Sequence, residues 1–142
     1  MENTIKINNS RLQDIALLVM RIIIAIIFIY AGLAKWTFWS SHPAEMTDGM
    51  LNLIKFLSIV EPLGAVALVV GFLTRWAAAG LAIIMLGAIF VLKFTMQIGF
   101  FTSPTGVGLD YNLLIFGGCI ALMTFGAGSW SLDKLLLNKS TR

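Results

Sequence analysis

Four long apolar runs alternate with short polar connections along this chain of 142 residues. The runs lie at about Ile15–Trp36, Leu51–Leu73, Trp76–Phe100 and Leu109–Ala127. None alternates between apolar and polar positions as a strand of a membrane barrel would, and a helix needs roughly 20 apolar residues to cross a bilayer. The pattern therefore predicts an all-α integral membrane protein, a four-helix transmembrane bundle that forms a single domain over residues 1–142.

The composition supports a membrane protein. Apolar residues make up 58% of the chain and charged residues 12%, with a mean hydropathy of +0.91, whereas soluble domains average about 25% charged residues. The net charge of +3 is scattered along the chain, which argues against a nucleic-acid partner and leaves the lipid bilayer as the expected one. The first run is too long for the apolar part of a signal peptide, so we expect a retained helix.

Lysine and arginine residues near the ends of the runs predict the orientation in the membrane. Six lie near one set of ends, namely Lys6, Arg11, Arg75, Lys134, Lys139 and Arg142, and two near the other, namely Lys35 and Lys55. Cytoplasmic connections carry an excess of these residues. We therefore expect both termini in the cytoplasm and a multi-pass protein of the cell inner (cytoplasmic) membrane.

Several kinds of chemistry are excluded by what the chain lacks. It has one cysteine, Cys119, and one histidine, His42, so neither an intramolecular disulfide nor a Cys/His metal site is encoded. No glycine-rich nucleotide motif follows a strand. We expect no metal and no encoded cofactor, an inert buried Cys119, and a solvated His42.

The second and third runs each contain a charged residue, Glu61 and Lys93. With a rise of about 1.5 Å per residue, Glu61 lies roughly 15 Å from the start of its run and Lys93 roughly 10 Å from the outer end of its run. Each charge at such a depth costs about 2.5–3.5 kcal/mol on insertion scales. We therefore predict that Glu61 and Lys93 approach each other, directly or through water, and that they are the candidate catalytic groups.

Further polar residues lie at similar depth or just above it in the outer half of the bundle. The candidate ligand-binding residues are Tyr30, Lys35, Gln97, Asp110, Tyr111 and Asn112. The alternative is that these groups only hold helices together, although one polar contact between membrane helices contributes only about 0.6 kcal/mol.

Two arginines and a proline are given structural roles. Arg21 and Arg75 are interpreted as structural charges, and Arg21, roughly 9 Å inside the first run, is close enough to the cytoplasmic interface to snorkel. Pro62 cannot donate a backbone hydrogen bond to Ser58, so it frees that carbonyl. We expect Pro62 to bend the second run and to open a pocket toward the outer leaflet.

Six segments follow one another over about Arg21–Asp133: "RIIIAIIFIYAGLAKW", Glu61 ahead of "LGAVALVVGFLTRWAA", "MLGAIFVLKF", "GFF", "LDYNLLIFGG" and "SWSLD". In this order and spacing they resemble the DoxX family of small four-helix membrane proteins. The polar residues that match the family's pattern are Arg21, Lys35, Glu61, Arg75, Asp110 and Tyr111. The chain departs from it at Lys93, where many relatives have histidine, and at Gly126-Ala127-Gly128, where Gly-Pro-Gly is frequent.

The resemblance implies a component associated with membrane oxidoreductases, because the family is similar to the small membrane subunit of thiosulfate:quinone oxidoreductase. On that basis we expect a quinone or a similar lipophilic molecule in an outward-facing polar pocket, with electrons supplied by a partner oxidoreductase subunit. Whether the chain is itself an enzyme stays open. Two alternatives also stay open: a non-enzymatic membrane anchor or assembly subunit, and a small-molecule transporter, which would have to form a homo-oligomer because one such chain is small for alternating access.

Overall fold

The computed structural model of the chain describes the backbone of residues 2–41, 43–44, 46–104 and 106–140, and their side chains from residue 10 to 136 and at 138. The prediction that His42 is solvated lies outside the described residues.

Five α-helices make up most of the described chain, and none of its described segments forms a β-strand, which confirms the all-α prediction. The helices are α1 Glu2–Ala34, α2 Asp48–Val70, α3 Thr74–Phe90, α4 Leu109–Phe125 and α5 Leu132–Ser140. A 3-10 turn, Lys35–Trp39, follows α1, and a π-helical turn, Val91–Thr95, continues α3. Three segments are long and apolar enough to span a membrane, Ser10–Trp39, Asp48–Val70 and Thr74–Thr95, and α4 is a shorter apolar helix.

The third helix ends earlier than the apolar run predicted. The run continues to Phe100, but the helical segment stops at Thr95 because Gln97 adopts a positive φ of 52°. This left-handed conformation cannot continue a right-handed helix. Lys93 therefore lies in the last turn of its helix rather than well inside it.

Consecutive helices run antiparallel and pack in two close pairs, α1 with α2 and α3 with α4, with fewer contacts between α2 and α3 and between α1 and α4. The first half of α1 thus lies beside the end of α2, and α5 follows at the same end. We call the end of the bundle where α2 stops and α3 starts the Arg21 end, and the opposite end the Lys35 end.

Small and medium-sized apolar side chains from all four long helices form the core. Its fully buried members are Ala25, Phe28, Ala65, Leu68, Ala78, Cys119 and Leu122. The burial of Cys119 as a free thiol agrees with the inert role predicted for it. Gly118 allows α1 and α4 to approach closely, because a Cβ there would fall 2.8 Å from Cδ1 of Ile24.

Candidate functional site

An ion pair joins α2 to the chain just after α1. The ammonium of Lys35 lies 2.6 Å from Oε2 of Glu61, and the two side chains are 25% and 2% exposed. The same ammonium donates a hydrogen bond to the carbonyl of Ala31, one turn back along α1. Glu61 faces the interior because it shares the buried stripe of α2 with Ser58, Ala65 and Leu68, which recur at helical spacing.

The prediction that Glu61 pairs with Lys93 was wrong. Lys93 is exposed and forms no ion pair with any described residue. Since the helix ends at Thr95, Lys93 lies in the last turn, where a long basic side chain can extend to the membrane surface without a carboxylate. Lys35 pairs with Glu61 instead, because the Lys35 side chain extends from the end of α1 back toward the middle of the bundle.

Two tryptophans extend the ion pair into a polar network around Ser58. The indole N–H of Trp36 donates to the backbone carbonyl of Ser58 at 3.2 Å, and that of Trp39 donates to the Ser58 hydroxyl at 3.0 Å. The Ser58 hydroxyl in turn donates to the carbonyl of Lys55 at 2.7 Å. Because Pro62 has no N–H to offer it, the Ser58 carbonyl lacks its helical partner, and the indole of Trp36 satisfies it.

Pro62 itself packs against α1. A Cβ on Gly32 would fall 2.4 Å from Cγ and 2.5 Å from Cδ of Pro62, so only glycine allows this approach. Gly32 therefore lies directly against the side of the proline ring that faces α1. We call the group formed by Gly32, Lys35, Trp36, Trp39, Ser58, Glu61 and Pro62 the Lys35–Glu61 cluster.

Sequence reasoning missed both tryptophans and Ser58 as members of this cluster. A signal was present, because two tryptophans three residues apart at the end of a span are typical of residues that anchor a helix at the membrane interface. That signal predicts the depth of Trp36 and Trp39 but not their hydrogen-bond partner on α2.

Asp110 stabilises a loop instead of joining the cluster. Its carboxylate accepts hydrogen bonds from the backbone N–H and the hydroxyl of Thr102, at 3.1 Å and 2.7 Å, and from the backbone N–H of Tyr111. Thr102 also accepts from the N–H of Gly108. The segment between α3 and α4 is thereby fixed to the first turn of α4.

The other predicted ligand-binding residues are dispersed. Tyr30 is 72% exposed on the outer surface of α1. Gln97, in the loop after the π-helical turn, and Tyr111, in the first turn of α4, are also exposed. Asn112 is buried, and its side-chain amide donates to the carbonyl of Gly108 at 3.4 Å. Of the six residues predicted to bind a ligand, only Lys35 lies against Glu61.

Arg21 is buried at the opposite end of the bundle and does not snorkel to the surface. The whole residue is only 1% exposed. It donates to the carbonyls of Leu68 and Val69 at 2.7 Å each, and to those of Ala127 and Trp130 at 2.8 and 2.9 Å. The first two belong to the last turn of α2, where backbone carbonyls lack helical partners and the helix dipole favours a cation. Arg21 thus joins the end of α2 to the segment that follows α4.

Two aspartates that the sequence analysis did not single out fasten the C-terminal part to the same end. Asp133 accepts from the backbone N–H groups of Leu73 at 2.6 Å and Thr74 at 2.9 Å, so α5 caps the start of α3. Asp14 accepts from the N–H of Ser129 at 2.8 Å. The sequence around α3 gives no sign that Asp133 caps this helix, because the carboxylate lies about sixty residues from the N–H groups that it accepts from.

A cavity of about 850 Å³ opens at the Arg21 end, whereas the predicted pocket was placed at the Lys35 end. Its lining includes Arg75, which is exposed and forms no hydrogen bond or ion pair with a described residue. Arg75 therefore does not support the structure in the way that Arg21 does. Among the described residues, no three His, Cys, Asp or Glu side chains come together as a metal site would require.

Comparison with known proteins agrees with this architecture. The sequence model of the DoxX family matches residues 16–94, from α1 to the π-helical turn. The chain is similar to the inner membrane protein YqjF of Escherichia coli, with 31% identity over 134 residues, 92% of this chain and 98% of the relative. It is also similar to the uncharacterized membrane protein Rv3486 of Mycobacterium tuberculosis, with 28% identity over 139 residues, 86% of this chain and 82% of the relative. No solved structure matches.

The family match covers the Lys35–Glu61 cluster, Arg21 and Arg75. It ends before α4, so the segments "LDYNLLIFGG" and "SWSLD" lie beyond it. The name of the Escherichia coli relative and the apolar helices confirm a multi-pass protein of the inner membrane.

Proposed function

This chain belongs to the DoxX family of membrane proteins, and we propose that it is a redox-associated membrane component that binds a quinone or a similar lipophilic carbonyl compound beside Lys35 and Glu61. The observation that carries the proposal is the burial of one carboxylate against one partly exposed ammonium within the span of α2. A charge in that position is costly unless it is paired, and ionisable groups inside membrane spans are candidates for function.

The geometry around the pair suits such a ligand. Glu61 is closed off from solvent, while the Lys35 side chain is a quarter exposed and so can be reached from outside the bundle. The rings of Trp36 and Trp39 are more than half exposed next to it and offer flat apolar surfaces. A ligand that enters from the bilayer would meet an aromatic surface first and an ammonium donor second.

The two charged side chains would have different roles. The Lys35 ammonium would donate a hydrogen bond to a carbonyl oxygen of the ligand, as charged donors do more strongly than neutral ones. Glu61 would give a proton to the quinone as it is reduced, or take one from the quinol as it is oxidised, because its carboxylate contacts the ammonium that would hold the ligand oxygen. We assign the electrons to a partner oxidoreductase subunit or to a soluble thiol reagent.

Binding of decylubiquinone to the purified protein tests the proposal. Quinones quench tryptophan fluorescence, and Trp36 and Trp39 lie in the proposed site, so the Trp76→Phe/Trp130→Phe background isolates their signal. We expect Glu61→Gln to weaken binding about tenfold and to remove its pH dependence, because one charged group in a buried pair is lost. Lys93→Gln, which alters an exposed lysine of the π-helical turn after α3, is the matched control and should bind like the parent.

A second candidate function is a membrane anchor or assembly subunit. The observation in its favour is that both indole N–H groups of the cluster already have partners on Ser58, as expected of a purely structural interface. Unchanged binding and unchanged pH dependence in Glu61→Gln would reject the quinone proposal and favour this one. In that case Gly32→Ala, which disturbs the α1–α2 interface, should reduce recovery of a co-purifying partner while Glu61→Gln does not.

A further inference from the structure

We propose that the cavity at the Arg21 end binds the headgroup phosphate of an anionic phospholipid, with Arg75 and Lys134 as its cationic groups. This site is separate from the Lys35–Glu61 cluster and does not depend on the function proposed for that cluster. The proposal rests on the position of the cavity, on the charges in its wall and on the apolar surface beside it.

The cavity lies at one end of the spanning helices, where lipid headgroups are expected. Its wall is built where α2 ends, α3 begins, α4 ends and α5 starts, which is one end of all the spanning helices in that part of the bundle. At about 850 Å³ it has room for a headgroup and the first part of the acyl chains. Basic pockets between membrane helices at this level are typical sites for anionic lipid headgroups.

Two cationic side chains and two carboxylates line the cavity, and they differ in whether the protein already supplies a partner. Both acidic side chains in its wall are already engaged, Asp14 by the N–H of Ser129 and Asp133 by the N–H groups of Leu73 and Thr74. Arg75 forms no ion pair or hydrogen bond with a described residue. An anionic ligand would therefore complement this guanidinium, which has no carboxylate partner among the described residues.

The backbone beside Arg75 leaves room for its side chain at the cavity wall. Gly126 has a φ of 79°, and a Cβ there would fall 3.2 Å from Nε of Arg75, so the arginine side chain runs directly over this glycine. On the other side Lys134 donates to the hydroxyl of Ser129 at 2.7 Å, which holds its ammonium at the same cavity wall. The two cations thus come from different helices and border the same cavity.

Apolar side chains next to the cations supply a surface for acyl chains. Phe72, Trp76, Phe125 and Leu136 line the cavity and are all exposed, Trp76 to 77%. Large aromatic residues at the membrane boundary, with their apolar rings toward the lipid, are typical of the interface. This combination of fixed cations and exposed rings fits a phospholipid better than a soluble anion, which would gain nothing from the rings.

Native mass spectrometry of the full-length protein tests this assignment. The delipidated protein is mixed with equal amounts of dioleoylphosphatidylglycerol and dioleoylphosphatidylcholine. We expect preferential retention of phosphatidylglycerol, and a loss of about fivefold in that retention for Arg75→Gln, the factor that one basic residue contributes at an anionic membrane surface. Lys134→Gln should show a loss of similar size, and Arg75→Lys should retain part of the preference.

Lys93→Gln is the matched control, because it removes an exposed cation from the opposite end of the same helical segment. Three results would overturn the site: equal retention of both lipids by the unmodified protein, full retention by Arg75→Gln, or an equal loss in Lys93→Gln. Displacement of the lipid by excess inorganic phosphate would overturn the assignment to a phospholipid, since it would show that a soluble anion suffices. Circular dichroism checks that each variant is folded. If Arg75→Gln does not fold, full retention of phosphatidylglycerol by Lys134→Gln overturns the site instead.

Discussion

The ammonium of Lys35 and the carboxylate of Glu61 form a contact of 2.6 Å across the interface between α1 and α2. The carboxylate is placed in the middle of a spanning helix and the ammonium comes from beyond the end of the neighbouring one. Because the pair is neutral as a whole, α2 can carry an acid inside an apolar segment without the penalty of an isolated charge.

Removing only the cation of this pair should destabilise the protein strongly. Lys35→Met leaves a buried carboxylate without its partner, and we expect it to lower the free energy of unfolding by about 3 kcal/mol. The double variant Lys35→Met/Glu61→Gln should recover at least half of that loss, since no charge is left to be compensated. Unfolding of the purified protein by SDS in mixed micelles, followed by circular dichroism, measures these free energies.

Lys93→Met is the control for this prediction, because it replaces the lysine that forms no ion pair with a described residue. We expect a change within about 0.5 kcal/mol, as for other surface substitutions. Equal destabilisation by Lys93→Met and Lys35→Met would contradict the assignment of Lys35 as the partner of Glu61.

Arg21→Lys should not be a conservative change. The guanidinium reaches four carbonyls on two separate segments, and a single ammonium cannot present its donors in that planar fork. We expect a loss of about 2 kcal/mol in unfolding free energy, because buried carbonyls are left without a donor. Arg11→Lys, at an exposed position of the same helix, should show no such loss in the same assay.

Gly32→Ala should disturb the interface on which the cluster is built. The added methyl would fall 2.4 Å from the ring of Pro62, which is too rigid to yield by a rotamer change. Overpacking of this kind costs about 1–3 kcal/mol. In contrast, Gly87→Ala adds a methyl with nothing within 4 Å, and it should leave stability unchanged or raise it by about 0.5 kcal/mol, as expected for alanine in a helix. Destabilisation by both variants to the same degree would argue against a specific contact with Pro62.

The orientation in the membrane is a further prediction. The contacts of α1 with residues 127–130 show that the first half of α1 and the start of α5 lie at one end of the bundle. The bias of lysine and arginine predicts that this end is cytoplasmic. A reporter that is active only in the cytoplasm should therefore work when fused after Arg142, and activity of a periplasm-only reporter at that position would reverse the orientation.

The sequence by itself determined the class of fold, because the relevant signals are local. A continuous apolar run of sufficient length must form a helix in a bilayer, since every backbone polar group there needs a partner within the segment. The four runs, the turn residues between them and the burial of Cys119 all follow from such local properties. The freed carbonyl of Ser58 could likewise be predicted, because it depends only on Pro62 four residues later.

Only the tertiary structure decided which groups meet. The sequence predicted Lys93 as the partner of Glu61. The choice of Lys35 instead depends on the close pairing of α1 with α2 and on the end of the π-helical turn at Thr95, ahead of the positive φ of Gln97. Similarly, Arg21 could extend to the surface or turn inward. It turns inward because the carbonyls at the end of α2 and those of Ala127 and Trp130 meet around it. That acceptor site is made from segments nearly fifty and more than one hundred residues away, so it exists only once the helices have packed.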